Sequence, residues 1–445
     1  MMIKKLLIPR RIVCADGENN VLDKTALEIT DNKISGFVPF DKINREEYGE
    51  IFDYPSYTLI PGFIQTHVHL CQTLFRGLAE ELPLLDWLKF KIFPFENAHN
   101  EDSLRQSCKL GLNELLMSGT TTILDMGTLR HQQIVFTEMI NSGIRGFSGK
   151  CMIDQNDLLP EFKSSTKDEL QNAVQLAQNF HKSQDGRIKY AFAPRFVLSC
   201  SEELLRETKQ IIKDFPGSLY HTHSSENTNE IKEVRRRYQK ENIEYFDHLN
   251  LLDDHTVLAH CVHTNQTERK ILKERNIRVT HCPSANLKLG SGIAPVPEYM
   301  KEGISVSLGS DGAPCNNNLS IFNEMRLSAF IQKPTHGPEA MSALKIFRMA
   351  TIDGANALHL NDEIGSIEIG KLADLVLLDL NTSSNSLDDS NVYSDIVFSS
   401  NQKNVKCVMI NGEWKVKENQ SLIYADNEII DEGKQELEKL LKRIK

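Results

Sequence analysis

The residues able to do chemistry gather at the ends of apolar runs. Pro61-Gly62-Phe63-Ile64-Gln65-Thr66-His67-Val68-His69 closes on two histidines one residue apart. In a strand, residues i and i+2 face the same side, so His67 and His69 project together. Leu219-Tyr220-His221-Thr222-His223 repeats the pattern, and His260, His281 and Asp311 close three further runs at 256–261, 278–282 and 305–311. The chain has 14 histidines. So many at strand-like ends goes beyond a few satisfied core imidazoles. Three imidazoles and a carboxylate suit Zn²⁺, with Fe²⁺ as the alternative. The expected ligands are His67, His69, His223 and Asp311.

A catalytic metal needs side chains that move protons. Glu226 lies three residues past His223, placed to enter the same cleft without ligating. Its bland reading is an acid at a helix N-terminus, favoured by the macrodipole. His260 can hydrogen-bond the attacking oxygen, and Asp311 can both ligate and hold a proton. His221, one pleat deeper than His223, is expected to stand behind the ligands. His281 either does the same or faces substrate. The run at 189–195 ends in Arg195, which cannot bridge two metals, and Lys150 is the remaining nearby candidate. One metal per chain is therefore expected.

These side chains need a scaffold that brings strand ends together. Eight strand-like runs occur at 63–69, 120–126, 145–153, 189–195, 218–223, 256–261, 278–282 and 305–311. Helical periodicity separates most of them, as at 102–117 and 167–181. This alternation predicts an α/β fold, a (β/α)₈ TIM-type barrel with its site at the C-terminal strand ends. Short alternating runs at 5–8, 26–29, 33–38 and 57–60 precede it, and others follow at 365–369, 374–379, 392–398, 405–410 and 413–416. Both chain ends are expected to build one small β-sandwich (1–60 and 362–427) into which the barrel (61–361) is inserted. The stretch 428–445 reads as an amphipathic helix whose apolar face would suit a subunit contact.

Composition narrows the function. A net charge of −10 argues against a nucleic-acid surface. The nine cysteines have no paired framework spacing, which suits free thiols in a reducing compartment. The apolar run near the start is too short for a signal peptide, and none reaches membrane-spanning length. A cytoplasmic protein with no membrane partner is expected.

In combination, these motifs resemble the amidohydrolase superfamily, in the branch of adenosine-type nucleoside deaminases (5′-deoxyadenosine, methylthioadenosine, S-adenosylhomocysteine), guanine deaminase and triazine chlorohydrolases. The resemblance rests on the 61–69 motif, Gln72-Thr73-Leu74-Phe75-Arg76-Gly77, His223-Ser224-Ser225-Glu226, Ala259-His260-Cys261, Ser310-Asp311-Gly312 and 363–375. Leu82 to Leu88 resembles the family's lid. It implies hydrolytic removal of a ring amino group from a small molecule, releasing ammonia, with one Zn²⁺ and a homo-oligomer (dimer or tetramer). The expected substrate contacts are Gln72, Arg76, Trp87, Arg195, His281 and Cys315. Arg195 and its surroundings resemble guanine deaminase, where the matching arginine faces the purine carbonyl edge. Residues 287–296 and 310–317, with Asn316-Asn317 after Cys315, resemble the nucleoside deaminases. A 5′-deoxyadenosine-type substrate is favoured slightly. A guanine-like base or pterin is the alternative, and triazine dechlorination a further one.

Overall fold

The computed structural model describes residues 4–444. Among them, eight parallel strands close a barrel. They are β1 (Phe63–His69), β2 (Thr120–Asp125), β3 (Arg145–Ser148, resuming at Cys151–Met152), β4 (Ile188–Pro194), β5 (Leu219–Ser224), β6 (Thr256–His260), β7 (Arg278–His281) and β8 (Ser305–Leu308, resuming at Asp311–Gly312). Each pairs with the next in order. The first part of β8 pairs with β7, while Asp311 and Gly312 pair with Val68 and His69 of β1, which closes the ring. Every residue of β1 and β2 is buried. That explains continuous apolar runs rather than alternation.

The second domain is a nine-stranded sheet built from both chain ends. Lys4–Val13 lies beside Glu50–Pro61, which pairs antiparallel with Leu375–Leu378; Val405–Ile410 and Glu413–Lys417 continue the sheet. The sheet folds onto itself. Leu7, Leu27 and Ile34 share one core with Leu377 and Met409, and Phe52 meets Trp414 edge to face at 5.2 Å. Only Gly62 separates Glu50–Pro61 from β1. A buried ion pair also joins the domains: Arg145 of β3 donates to Asp374 through Nε (2.7 Å) and Nη2 (3.1 Å).

Three expectations change. Residues 392–398 are helical, not a strand. Val392, Ile396 and Val397 are buried at helical spacing, and the Asn391 side chain caps the turn by accepting the Ser394 N–H. Residues 365–369 form a loop, docked by the Ile367 N–H on the Cys14 carbonyl (2.8 Å). The last helix, Asp426–Arg443, packs on barrel helix Glu101–Met117 rather than offering that face to a partner. Asn113 donates to Asp426 (2.8 Å) and Gln106 to Glu432 (2.7 Å). Ile430 and Leu441 stay exposed on its outer side. No helix among the described residues is long and apolar enough to cross a membrane.

Candidate metal centre

The ligand-bearing strands β1, β5 and β8 deliver their terminal side chains to one point. Nε2 of His67 and Nε2 of His69 each lie 3.3 Å from Oδ1 of Asp311. Nε2 of His69 is 3.2 Å from Nε2 of His223. These separations are the edges expected between ligands about 2 Å from a shared ion. In His67 and His223 the inward nitrogen is left for it by what holds the other. His223 donates from Nδ1 to the Arg195 carbonyl (2.7 Å), and His67 Nδ1 meets His221 Nε2 at 2.9 Å. Such partners fix tautomer and ring orientation. Nε2 of His67 is buried without a hydrogen-bond partner. Burial holds His67 below the usual histidine pKa, and His69, His221 and His223 well below it. Neutral imidazoles around a carboxylate, with a buried nitrogen lacking a partner, fit a divalent ion of the zinc type.

Glu226 and His260 stand beside these donors. Oε2 of Glu226 is 3.5 Å from Nε2 of His260, which is 3.8 Å from Oδ2 of Asp311. Glu226 directly precedes the N-cap of helix Thr228–Tyr238, so it remains an acid at a helix N-terminus without serving as the cap. Helix Thr228–Tyr238 is capped by Asn227 together with Glu230, leaving the Glu226 carboxylate free, its Oε1 unpartnered. Burial pushes Glu226 up to about 7, against the pull of His260. Burial opposes charge on His260, yet Glu226 and Asp311 raise its pKa. Nδ1 of His260 is anchored by Asn286 Oδ1 at 2.9 Å. Ser225, His260, Cys261 and Asp311 all have left-handed backbone (φ +53°, +75°, +45° and +62°). Non-glycine residues held this way cost energy and cluster at working sites.

An Amidohydrolase family model matches residues 58–415. The chain belongs to this family. A 5′-deoxyadenosine deaminase from Methanosphaera stadtmanae is 34% identical over 414 residues, covering 93% of this chain and 94% of that one. A 5-methylthioadenosine/S-adenosylhomocysteine deaminase from Desulfitobacterium hafniense is 34% identical over 377 residues, 83% of each. The solved structure of an adenosine deaminase from Xanthomonas campestris with bound zinc superposes with a TM-score of 0.92 at 26% identity, over 99% of both chains.

In this amidohydrolase the centre opens into a tight cleft lined by Gln72, Leu84, Trp87, Leu88, Arg195, Phe196 and Leu289 above the metal-site residues. Trp87 contributes an indole N–H with no partner. Its helical segment (Leu84–Trp87, Leu88–Ile92, Phe93–Asn97) widens to a π turn just before Pro94. Proline lacks the N–H that a continuing α-helix would use. The segment ends by delivering Glu96, which the sequence reading missed. Arg195 Nη1 lies 3.1 Å from Glu96 Oε2, Gln72 donates to Glu96 Oε1 (2.7 Å), and the guanidinium sits 5.1 Å over the Phe93 ring. Burial disfavours the Arg195 charge, but Glu96 together with Cys151 and Cys71 outweighs this and raises its pKa.

Three expected substrate contacts are not brought into the cavity. Arg76 pairs with Glu114 of Glu101–Met117 and donates to the Asn317 carbonyl (2.9 Å), outside it. His281 is buried with both ring nitrogens unpartnered, and Cys315 turns its thiol to the Gly312 carbonyl (3.1 Å). Lys150 points away, to Glu169 (3.1 Å). Asn286 and Asp125 were also missed. Asp125 accepts from the Leu70 and Gly127 N–H groups (2.9 Å each) and from Ser148 (2.6 Å), fixing the turn after His69. Its position at the end of the second strand-like run was the available signal.

Proposed function

We infer that this amidohydrolase is a hydrolytic deaminase of an adenosine-type nucleoside, with one Zn²⁺ held by His67, His69, His223 and Asp311. The observation that carries this reading is the Glu226 carboxylate. It is relieved of capping, buried, and set beside His260 and the four donors. When bound, the ion supplies Lewis acidity that makes a water nucleophilic near neutral pH. Glu226 accepts a proton from the attacking water and delivers it to the ring nitrogen beside the carbon under attack. His260, its Nδ1–H held by Asn286 Oδ1, donates from Nε2, as the imidazolium that Glu226 and Asp311 favour, to the oxygen that adds. Asp311 and Glu226 carry the second water proton to the amino group, which leaves as ammonia while the carbon–oxygen double bond forms. The lid segment and Leu289 shield this exchange from bulk water.

The names of the relatives support the nucleoside. Arg195 favours a second reading, a guanine-like base or pterin. It meets Glu96 through Nη1, leaving its other donors for a carbonyl edge. Ammonia release is to be compared for 5′-deoxyadenosine, methylthioadenosine, S-adenosylhomocysteine, adenosine, guanine, 8-oxoguanine and pterins. Turnover of guanine or a pterin alone replaces the first reading with the second. Glu226→Gln is expected to keep its metal and lose roughly 10²–10⁴-fold in kcat. Ammonia release at the wild-type rate by that variant sinks the mechanism. The nine buried free cysteines suit the cytoplasm. The homo-oligomer that the family resemblance implies is open to sizing in solution.

A further inference from the structure

At the opposite end of the barrel, three metal-ligating side chains meet that the deaminase reading does not use. Asp254 and His255 precede β6, and His359 follows helix Ile352–Ala357. One ligand atom from each lies within 4.8 Å of the other two. Nδ1 of His255 is 3.0 Å from Oδ1 of Asp254, and the imidazoles stack at 4.1 Å with 13° between planes, so the His255 ring has to turn out of the stack for both rings to face one ion.

The backbone of His255 and the side chain of His359 are held from behind. The His255 N–H donates to Asp253 Oδ1 (3.1 Å), and its carbonyl accepts the Tyr220 N–H (3.0 Å). His359 donates from Nε2 to the Asp254 carbonyl (2.8 Å), which leaves Nδ1 as its acceptor. Its backbone is left-handed (φ +53°), between the buried Leu358 and Leu360. All three residues are half-buried, so an ion could reach them and keep water in its remaining positions. Arg278 is the opposing charge, acting on both Asp254 and His359. Lys209 is engaged by Asp253 at 2.7 Å.

We propose that Asp254, His255 and His359 form a second metal site, for a borderline divalent transition ion such as Zn²⁺, Co²⁺ or Cu²⁺. Two imidazoles and one carboxylate select that class over Mg²⁺ or Ca²⁺. The ion ties the loop entering β6 to the segment that leaves the barrel for the second domain. The site does not depend on the deaminase reading.

The test is Zn²⁺ titration of enzyme already holding one equivalent, with zinc counted per chain and thermal midpoints recorded. Wild type is expected to take a second equivalent and melt higher. His255→Ala and His359→Ala should each weaken that second equivalent by on the order of 100-fold while the first equivalent and turnover remain. Asp254→Asn provides a further variant should His359→Ala not fold. Saturation of wild type at one equivalent overturns the proposal. So does a second equivalent bound unchanged by the variants, which marks adventitious binding elsewhere.

Discussion

Glu226 acts as a base only when ionised, and burial pushes it up to about 7. Below that value the protonated form dominates and cannot accept a proton from water. The value of kcat/KM should therefore fall as pH drops, about tenfold per unit well below the pKa. A bound dication moves this limb to lower pH. A pH profile of the zinc-loaded enzyme checks it, and the absence of any acid limb down to the pH at which the metal is lost contradicts the assignment. The convergence of His67, His69, His223, His260 and Asp311 was legible from their places at strand ends, and that of Glu226 from its place three residues past His223. Glu96 and Asn286 were not. Each acts through a tertiary partner, Arg195 or His260, that no local pattern announces. Arg76 was expected on substrate and is paired instead for the same reason: Glu114 is distant in sequence and adjacent only across the fold.

Among the elements, the lid segment is latched by the Glu96–Arg195 pair, both side chains nearly inaccessible. Removing one charge from a buried pair leaves the other uncompensated. Glu96→Gln is expected to destabilise the protein by about 3 kcal/mol, read by denaturant unfolding. Unchanged stability would show that the pair does not hold the lid. The turn within β8 is as exacting. A Cβ at Gly309 would lie 2.6 Å from the His67 carbonyl oxygen and 2.9 Å from its nitrogen. Gly309→Ala should displace β1 and lower metal content on purification, and full occupancy would contradict it. The helical fate of 392–398 was hidden because a short apolar run fits either periodicity, and the Asn391 cap decided it.

For the whole molecule, the Arg145–Asp374 pair is a buried polar tie between barrel and sandwich, reinforced by the Asn411 N–H on Asp374 Oδ1 (2.7 Å). Asp374→Asn is expected to cost about 3 kcal/mol or more, because Arg145 stays buried and charged. A single unfolding transition at unchanged denaturant midpoint would contradict this. The barrel and its insertion between two β segments were readable from alternating texture. The docking of the last helix was not, because an apolar stripe states that a face is covered but not by what.

The split of β8 also bears on how the enzyme is made. Asp311 pairs with Val68, the residue between the two first histidines. During synthesis, His67 and His69 leave the ribosome tens of seconds before Asp311, at about 5–20 residues per second. The nascent chain thus carries the two histidines through 154 further residues (223 − 69) before His223 can join them, open to any metal that meets it. Only the last barrel strand supplies both the carboxylate and the seam. Metal choice is therefore exposed to whatever ion the cell presents during that interval, before the finished geometry can discriminate.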